Sequence, residues 1–216
     1  MEQDFWLARW RNGEIGFHQP QVDPMLARFW PMLEVESGAT VFVPLCGKSL
    51  DMRHLAALGH PVLGVDLAEE AAQAYFDEAG EEAVRDDWRG GRRYRSGRTA
   101  IHVGDYFALD ADALSEVSVV YDRAALVALP PPVRARYVAH ARAMLSAGRG
   151  VQILLLTIEY DQAAVAGPPH SVDEAEVNQL FEGCEIERLD ERPARVLPPK
   201  LEGLDVIARV HRIRLP

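Results

Sequence analysis

The chain has 216 residues, of which 48% are apolar and 26% are charged. This size and composition fit one globular domain that buries a core of its own. The 33 aspartates and glutamates outnumber the 23 lysines and arginines, which makes the formal charge −10. Because such a chain repels phosphate backbones and anionic membrane surfaces, we expect neither a nucleic-acid nor a membrane partner.

The cysteines, the N-terminus and the hydropathy indicate the compartment. The two cysteines, Cys46 and Cys184, are far apart, and the N-terminus carries acids instead of the basic and apolar regions of a secretion signal. The most apolar stretch, 151–158, is far shorter than the ~20 residues that a membrane span needs. These features predict a cytoplasmic protein without a disulfide framework, and we expect it to be a monomer.

Five apolar runs rich in β-branched residues are predicted to be strands, namely 40–45, 61–66, 100–103, 117–121 and 151–158. Near-continuous apolar runs are typical of strands that are covered on both faces, as in a parallel sheet. Between the first two runs, Ser49 is suited to begin a helix and Gly59 to end it. Further helices are predicted at 69–79, 131–145 and 172–181. This order indicates βαβ units.

Other segments depart from this pattern. Residues 185–189 and 205–213 alternate apolar and polar side chains, which predicts antiparallel strands with one wet face. Segment 85–98 contains six arginines and three glycines without an apolar period, so an exposed loop is predicted there, with recruitment of an anionic acceptor as the alternative. Residues 1–38 are predicted to form a helical cover over the ligand site of a single domain, 1–216.

The residues after the first strand, 44–49, indicate the ligand class, because open parallel sheets bind ligands at the carboxyl ends of their strands. Gly47-Lys48-Ser49 is similar to the end of a P-loop, but the glycine that a P-loop needs five places earlier is Phe42 here. The dinucleotide pattern G-x-G-x-x-G is also missing. The loop therefore suits a ligand without phosphates.

Asp66 ends the second predicted strand, 19 residues after Gly47, where an acid that accepts both ribose hydroxyls is expected. Taken alone, Asp66 fits the role of a helix cap or of an acid in a turn equally well. With the loop, this acid indicates a nucleoside without pyrophosphate, and S-adenosylmethionine is such a ligand. At later strand ends, Asp105 can accept from the adenine amino group and Arg123 can anchor a carboxylate. Turn chemistry and an ion pair with Asp122 are the alternatives there.

Three aromatic residues near the N-terminus are candidates for covering this ligand. Trp6 and Trp10 are spaced i, i+4 and therefore share a helix face, where their rings can attract a sulfonium charge. A plain core stripe is the alternative. Phe17 follows that helix, where a flat ring can stack on a flat heterocycle. The cysteines and histidines show no metal-ligand spacing, and no residue is assigned a catalytic role.

Four motifs in chain order resemble signatures of the thiopurine S-methyltransferase family, and together they cover nearly the whole chain. They are FWLARW and IGFHQ within 5–19, PLCGKSLDM at 44–52, DRAALVALP at 122–130, and GPP with SV within 167–172. The length is similar to that of the bacterial members. The resemblance implies a class I methyltransferase fold, a Rossmann-like α/β three-layer sandwich with a seven-stranded, mostly parallel sheet and an antiparallel last strand. It also implies methyl transfer from S-adenosylmethionine to the sulfur of thiopurines and other aromatic or heterocyclic thiols.

The same resemblance assigns residues to the ligands. By motif position, Trp10, Leu45, Asp66 and Arg123 contact the cofactor, Trp6 and Asp105 lie nearby, and Phe17 faces the acceptor. The family usually carries Glu at the position of Asp66 and Phe at that of His170. The shorter Asp66 implies a looser or water-bridged ribose contact, and His170 either lines the acceptor pocket or points to solvent.

The expected chemistry makes modest demands on side chains. Methyl transfer from a sulfonium to sulfur is an in-line displacement, so orientation and exclusion of water carry most of the catalysis. A thiol on an electron-poor ring is already substantially ionised near neutral pH, so no dedicated base is obligatory. Asp23 or His18 can assist a less acidic acceptor, although a helix-cap role is favoured for Asp23. Two alternatives stay open: methylation of inorganic sulfide, halide, selenium or tellurium species, and a non-catalytic S-adenosylmethionine-binding protein.

Overall fold

The computed structural model describes residues 3–89, 91–145, 150–195 and 197–216. The chain forms two compact units, Met1–Val120 and Tyr121–Pro216. Both units combine helices with strands, which is the α/β class expected from the alternation of apolar runs and helical stretches. None of the helices in these ranges is long and apolar enough to cross a membrane.

The first unit alternates helices and strands around a sheet. Its described helices are α1 (Gln3–Arg11), α2 (Pro24–Phe29), α3 (Leu50–Ala57) and α4 (Glu69–Asp77). Its described strands are β1 (Thr40–Pro44), β2 (Val62–Asp66), β3 (Val84–Trp88), β4 (Gly91–Ser96), β5 (Thr99–Val103) and β6 (Val117–Asp122), which ends just beyond the unit. The strand order is β3-β4-β5-β2-β1-β6. β5, β2, β1 and β6 are parallel, whereas β4 runs against both of its neighbours.

The parallel strands bring their carboxyl ends to one edge of the sheet. β1 is buried almost throughout, as expected for a strand covered on both faces. β1 pairs with β2 so that Pro44 lies opposite Val65, and β2 pairs with β5 so that Asp66 lies opposite Val103. The loops that follow these three strands are therefore neighbours, and they bring the predicted ligand positions Leu45, Asp66 and Asp105 to one edge.

α3 begins and ends at the predicted residues. Ser49 accepts a hydrogen bond from the backbone N–H of Asp51 at 3.2 Å, and Gly59 adopts φ +98° just past the last turn. Such a left-handed conformation favours glycine, because a Cβ is strained there. The helix is thus bounded by the residue types that the sequence indicated.

The prediction of an exposed loop at 85–98 is wrong, because β3 and β4 form an antiparallel hairpin there that pairs with β5. Ion pairs across the hairpin replace the missing apolar period: Arg93 and Arg95 both bind Asp86. Tyr94 faces inward and is 3% exposed. A hairpin is held by backbone pairing and cross-strand side-chain pairs, which composition does not report. Four of the six arginines in this segment form ion pairs with acids, which argues against recruitment of an anionic acceptor by them.

The second unit ends in antiparallel strands. Its described helices are α5 (Ala125–Ala128), α6 (Pro131–Leu145) and α7 (Glu174–Leu180), and its described strands are β7 (Gln152–Glu159), β8 (Glu185–Pro193) and β9 (Ile207–Arg214). β9 pairs antiparallel with β7 on one side and with β8 on the other, so the predicted antiparallel last strand is confirmed. The described residues contain nine strands where seven were expected, and the β3–β4 hairpin accounts for the difference.

A buried histidine lies at the centre of these antiparallel strands. His211 of β9 is 0% exposed, and neither ring nitrogen has a hydrogen-bond partner among the described residues. Burial lowers its pKa to about 4, the charges of Arg209 and Arg188 act in the same direction, and Glu191 acts against them. The ring is therefore neutral at physiological pH and is held by packing.

We expect acid to destabilise the protein through His211. The unfolded chain protonates this residue near pH 6.5 but the folded chain only near pH 4, so stability falls as the pH falls through this window. The loss at pH 5 is about 2 kcal/mol relative to neutral pH. The free energy of unfolding of wild type and of His211→Leu is measured in urea at pH 7.5 and at pH 5. The difference between the two proteins at each pH removes the contribution of the other titrating groups. The stability difference should shift by about 2 kcal/mol in favour of the variant at pH 5, and an unchanged difference would contradict this prediction.

Candidate cofactor site

A carboxylate ties the loop after β1 to the end of β2. Asp66 Oδ2 accepts a hydrogen bond from the backbone N–H of Gly47 at 2.8 Å, and Oδ1 accepts one from the N–H of Ala68 at 3.0 Å. The N–H of Cys46 donates to the carbonyl of Val65 at 2.9 Å and extends the strand pairing into the loop. One side chain thus holds this loop and the residues before α4 at the carboxyl edge of the sheet.

Asp66 combines this structural role with capacity for a ligand. It is 9% exposed, and burial raises its pKa, while hydrogen bonds from the N–H groups of Ala68 and Gly47 lower it. A carboxylate offers about four lone-pair sites, of which the two backbone bonds occupy two. The others can accept hydroxyl hydrogens, so the turn-acid and ribose interpretations of Asp66 are compatible.

Two residues of the same loop have left-handed backbone conformations. Leu45 has φ +47° and Gly47 has φ +52°. This conformation costs a non-glycine residue about 1–2 kcal/mol, and such strain clusters at functional loops. A Cβ on Gly47 would lie 3.3 Å from the Trp10 ring. The loop therefore passes directly against Trp10, and a side chain at position 47 would require this ring to shift by a few tenths of an ångström.

The predicted aromatic residues form one cluster. Trp10 is buried and packs with Ala68 and Ala71 at the start of α4. The Phe17 ring meets the rings of Trp6 and Trp10 edge to face, with centroid distances of 5.4 and 5.7 Å. Trp6 and Phe17 are only partly buried and keep ring surface available to a ligand. The structure thus brings all three aromatic residues together, with Trp10 lying against the loop after β1.

Asp105 follows β5 at the same edge of the sheet. Its Oδ1 caps a short 3-10 turn by accepting from the N–H of Phe107 at 2.9 Å, and its Oδ2 accepts from the side-chain amide of Gln3 at 2.8 Å. One oxygen of Asp105 thus has the turn role that was the alternative interpretation, while the other accepts a hydrogen bond from α1. Our sequence reasoning missed Gln3, although its spacing of seven residues from Trp10 places both on one helix face.

Arg123 lies in the second unit, directly after β6, and is partly buried. The preceding residue, Asp122, is buried and holds this turn. Its Oδ1 accepts from the N–H groups of Ala125 and Leu126 at 3.0 and 3.2 Å. Its Oδ2 accepts from the Tyr137 hydroxyl at 2.7 Å. Burial raises the pKa of Asp122 to about 6, and these hydrogen bonds limit the rise. The contact between Arg123 and the cofactor stays a prediction.

His170, also in the second unit, is partly buried. Its N–H donates to the carbonyl of Val127 at 2.6 Å, and its ring packs so closely on Gly167 that a Cβ there would lie 2.1 Å from Nδ1. Burial lowers the pKa of His170, and the charges of Arg134 and Lys200 add to the effect. The imidazole therefore stays largely neutral at pH 7 and lies against the chain instead of extending into solvent.

The groups at the carboxyl edge of the first unit fit a nucleoside cofactor with a cationic sulfur. Asp66 supplies acceptors, Gly47 supplies backbone without a side chain, and the tryptophans supply aromatic rings. The Cys46 thiol is unsuited as a nucleophile, because burial and the charge of Asp66 raise its pKa well above the usual value. Within the described ranges, no three or more His, Cys, Asp or Glu residues are arranged to hold a metal ion.

A sequence model of the thiopurine S-methyltransferase family matches residues 1–211 of the chain. A probable thiopurine S-methyltransferase of Yarrowia lipolytica is 43% identical over 216 residues, which cover 99% of this chain and 100% of the relative. The thiopurine S-methyltransferase of Xanthomonas campestris is 50% identical over 182 residues, which cover 84% of this chain and 82% of the relative.

Two solved methyltransferase structures have a similar fold. The 1,6-didemethyltoxoflavin-N1-methyltransferase of Burkholderia thailandensis, solved with S-adenosylhomocysteine, is 19% identical with a TM-score of 0.63 and covers 97% of this chain and 86% of its own. Magnesium protoporphyrin IX methyltransferase of Synechocystis is 14% identical with a TM-score of 0.62 and covers 99% of this chain and 98% of its own. The α/β fold is thus that of the class I methyltransferases. By the match over nearly its whole length, the chain belongs to the thiopurine S-methyltransferase family, whose members are S-adenosylmethionine-dependent enzymes.

Proposed function

We propose that this protein transfers a methyl group from S-adenosylmethionine to the sulfur of thiopurines and of other aromatic or heterocyclic thiols. Family membership supports the reaction class. The observation that carries the site is the meeting of Asp66, the loop after β1 and the Trp6–Trp10–Phe17 cluster at one edge of the sheet. This edge combines hydroxyl acceptors with aromatic rings, which a nucleoside sulfonium and a flat thiol both require.

The polar contacts follow from the chemistry of each side chain. In the proposed complex, Asp66 accepts the ribose hydroxyls, directly or through a water molecule. Asp105 accepts from the adenine amino group through lone pairs that its two present bonds leave available. Arg123 anchors the methionine carboxylate, since a guanidinium matches a carboxylate in shape and charge.

The apolar contacts divide between cofactor and acceptor. Leu45 and Trp10 contact the cofactor from the loop after β1 and from α1. Trp6 lies near the sulfonium, whose positive charge an aromatic ring attracts. Phe17 stacks on the acceptor ring, and its position between the two tryptophan rings supports this role. The helical segment 1–38 thereby covers the cofactor site.

The protein contributes orientation and exclusion of water to this reaction. S-adenosylmethionine supplies a methyl group on a cationic sulfur, and the aromatic cluster aligns the acceptor with it. A dedicated general base is not obligatory, since an acidic heteroaromatic thiol is substantially ionised near neutral pH. Asp23 is engaged as the N-cap of α2, where it accepts from the N–H of Met25 at 2.9 Å. Its favoured interpretation as a cap is therefore confirmed.

The proposal also covers compartment and partners. A formal charge of −10 disfavours nucleic acid, and both cysteines are free, as is usual in a reducing compartment. We infer a cytoplasmic monomer that acts on a small-molecule thiol or chalcogen acceptor, without a nucleic-acid or membrane partner.

We expect methyl transfer to 6-mercaptopurine to be several-fold more efficient, by kcat/KM, than transfer to sulfide, iodide or a small selenol. Stacking of a heterocycle on an aromatic ring contributes on the order of 1 kcal/mol or more, which the small acceptors forgo. A labelled-methyl assay over this panel measures the ratio, and calorimetry measures cofactor binding. Binding without transfer to any thiol would refute the proposed acceptor class, and faster transfer to sulfide, halide or selenol would support the alternative instead.

Phe17→Ala tests the assigned acceptor contact in the same assay. It should raise the KM for 6-mercaptopurine several-fold and leave the KM for sulfide unchanged, because only the flat acceptor uses the ring. Phe5→Ala is the matched control, since Phe5 also meets Trp6 edge to face but is 39% exposed and carries no assigned contact. Equal effects of the two substitutions would remove Phe17 from the acceptor site.

A further inference from the structure

A side chain at the start of α1 contacts the loop after β5. The amide of Gln3 donates to Asp105 Oδ2 at 2.8 Å, across 102 positions of the sequence. The other oxygen of Asp105 is held by the N–H of Phe107. The acceptor is therefore fixed to the end of the sheet, whereas the donor belongs to the N-terminal helix.

Gln3 and Trp10 lie on the same face of α1. Seven residues make almost two full helical turns, so these two side chains point in one direction about 10 Å apart. Trp10 packs with Ala68 and Ala71 and lies against Gly47. α1 thus contacts the carboxyl edge through Leu7 and Trp10 from its middle to its C-terminal end, and through Gln3 at its N-terminal end.

The first turn of α1 is exposed or only partly buried. Within Gln3–Arg11, all of which is described, Trp10 alone is buried. Phe5 is 39% exposed, and Trp6 packs on Phe5 and Phe17, which belong to the same N-terminal segment. A polar contact from the first turn to the sheet is therefore well placed to decide how closely the helix lies on the site.

We propose that Gln3 is a positioning residue that holds α1, and with it Trp6 and Trp10, over bound S-adenosylmethionine and thereby slows its release. This rests on the proposed cofactor site. Asp105 has lone pairs for both the Gln3 amide and the adenine amino group, so helix and cofactor share one carboxylate. Because α1 also carries Trp6 and Trp10 over the cofactor, the helix bonded to Asp105 and the bound cofactor stabilise each other.

Release of S-adenosylhomocysteine from the full chain, followed by tryptophan fluorescence in stopped flow, tests the proposal. We expect Gln3→Ala to release it about 3- to 10-fold faster, the effect of one lost hydrogen bond to a carboxylate, with an unchanged melting temperature because Gln3 is exposed. Gln3→Glu places a like charge beside Asp105 and should release the ligand faster still. Gln3→Lys donates to Asp105 with a full charge and should restore slow release.

Asn12→Ala is the matched control, because Asn12 is exposed just past α1 and bonds to Glu14 in the same segment. It should release the ligand at the wild-type rate. Wild-type release from Gln3→Ala would overturn the proposal, and so would slower release, which would mean that Gln3 competes with the cofactor for Asp105. A wild type that binds no cofactor would overturn this proposal and the proposed site together. One that binds cofactor without methylating thiols would refute only the proposed acceptor.

Discussion

Asp66→Ala is expected to weaken the binding of S-adenosylmethionine about 100-fold. In the proposed complex the carboxylate accepts two ribose hydroxyls, and a hydrogen bond to a charged group contributes about 1.5 kcal/mol. The substitution also removes the acceptor of the Gly47 and Ala68 N–H groups, so we expect the free energy of unfolding to fall by roughly 2 kcal/mol. Calorimetry measures the affinity and urea unfolding measures the stability.

Two further variants separate binding from stability. Asp173 caps α7 by accepting from the N–H of Glu176 at 2.7 Å, so Asp173→Ala should cost about 1 kcal/mol of stability and leave the cofactor affinity unchanged. Asp66→Glu lengthens the side chain by one methylene and should keep the affinity within about threefold, because its carboxylate still reaches the hydroxyls. If Asp66→Ala folds and binds S-adenosylmethionine with wild-type affinity, the proposed ribose contact is wrong. The carboxylate would then only connect the loop after β1 to the start of α4.

Gly47→Ala is expected to reduce the cofactor affinity by about tenfold or more in a protein that still folds. Alanine at φ +52° costs about 1–2 kcal/mol of backbone strain. The added Cβ would also lie 3.3 Å from the Trp10 ring, which has to give way. A Trp10 ring shifted by a few tenths of an ångström fits its assigned cofactor contact less well, and function depends on the accurate placement of such groups. Calorimetry with S-adenosylmethionine measures this loss.

Gly80→Ala is the control that introduces backbone strain at a positive φ without any contact with Trp10. Gly80 has φ +66°, and a Cβ on it meets no described atom within 4 Å. This variant should therefore lose about 1–2 kcal/mol of stability like Gly47→Ala but bind S-adenosylmethionine with wild-type affinity. If the two variants bind the cofactor equally well, the approach of the loop to Trp10 has no part in binding.

The predictions that succeeded concern short-range patterns. The bounds of α3 followed from Ser49 and Gly59, because a cap acts on backbone groups within one turn of its own position. The parallel strands followed from apolar runs such as 61–66, since burial on both faces removes the alternation of an exposed strand. α6, Pro131–Leu145, has the predicted bounds because prolines are tolerated in its first turn.

The prediction that failed depended on partners remote from the segment itself. Residues 85–98 have no apolar period, and their strand character depends on pairing with β5 and on Asp86 facing Arg93 and Arg95. Gly91 pairs with Trp88 in the hairpin. A Cβ on Gly91 would lie 2.3 Å from the carbonyl oxygen of Val103, so β4 approaches the end of β5 closely there. Composition and periodicity do not contain this information, so the segment resembled a loop.

The residue types of the site could be predicted from the sequence, because a motif places an acid, a glycine or an aromatic ring at a known distance from a strand end. Their mutual arrangement was decided by tertiary structure alone. Asp66 accepts hydrogen bonds from two backbone N–H groups and keeps lone pairs for a ligand. Asp105 accepts a hydrogen bond from Gln3, which lies 102 positions away in the sequence. Sequence periodicity reports which side chains share one helix or strand. Contacts between elements depend on how the strands pair and which face each helix presents, and these follow from the packing of the first unit as a whole.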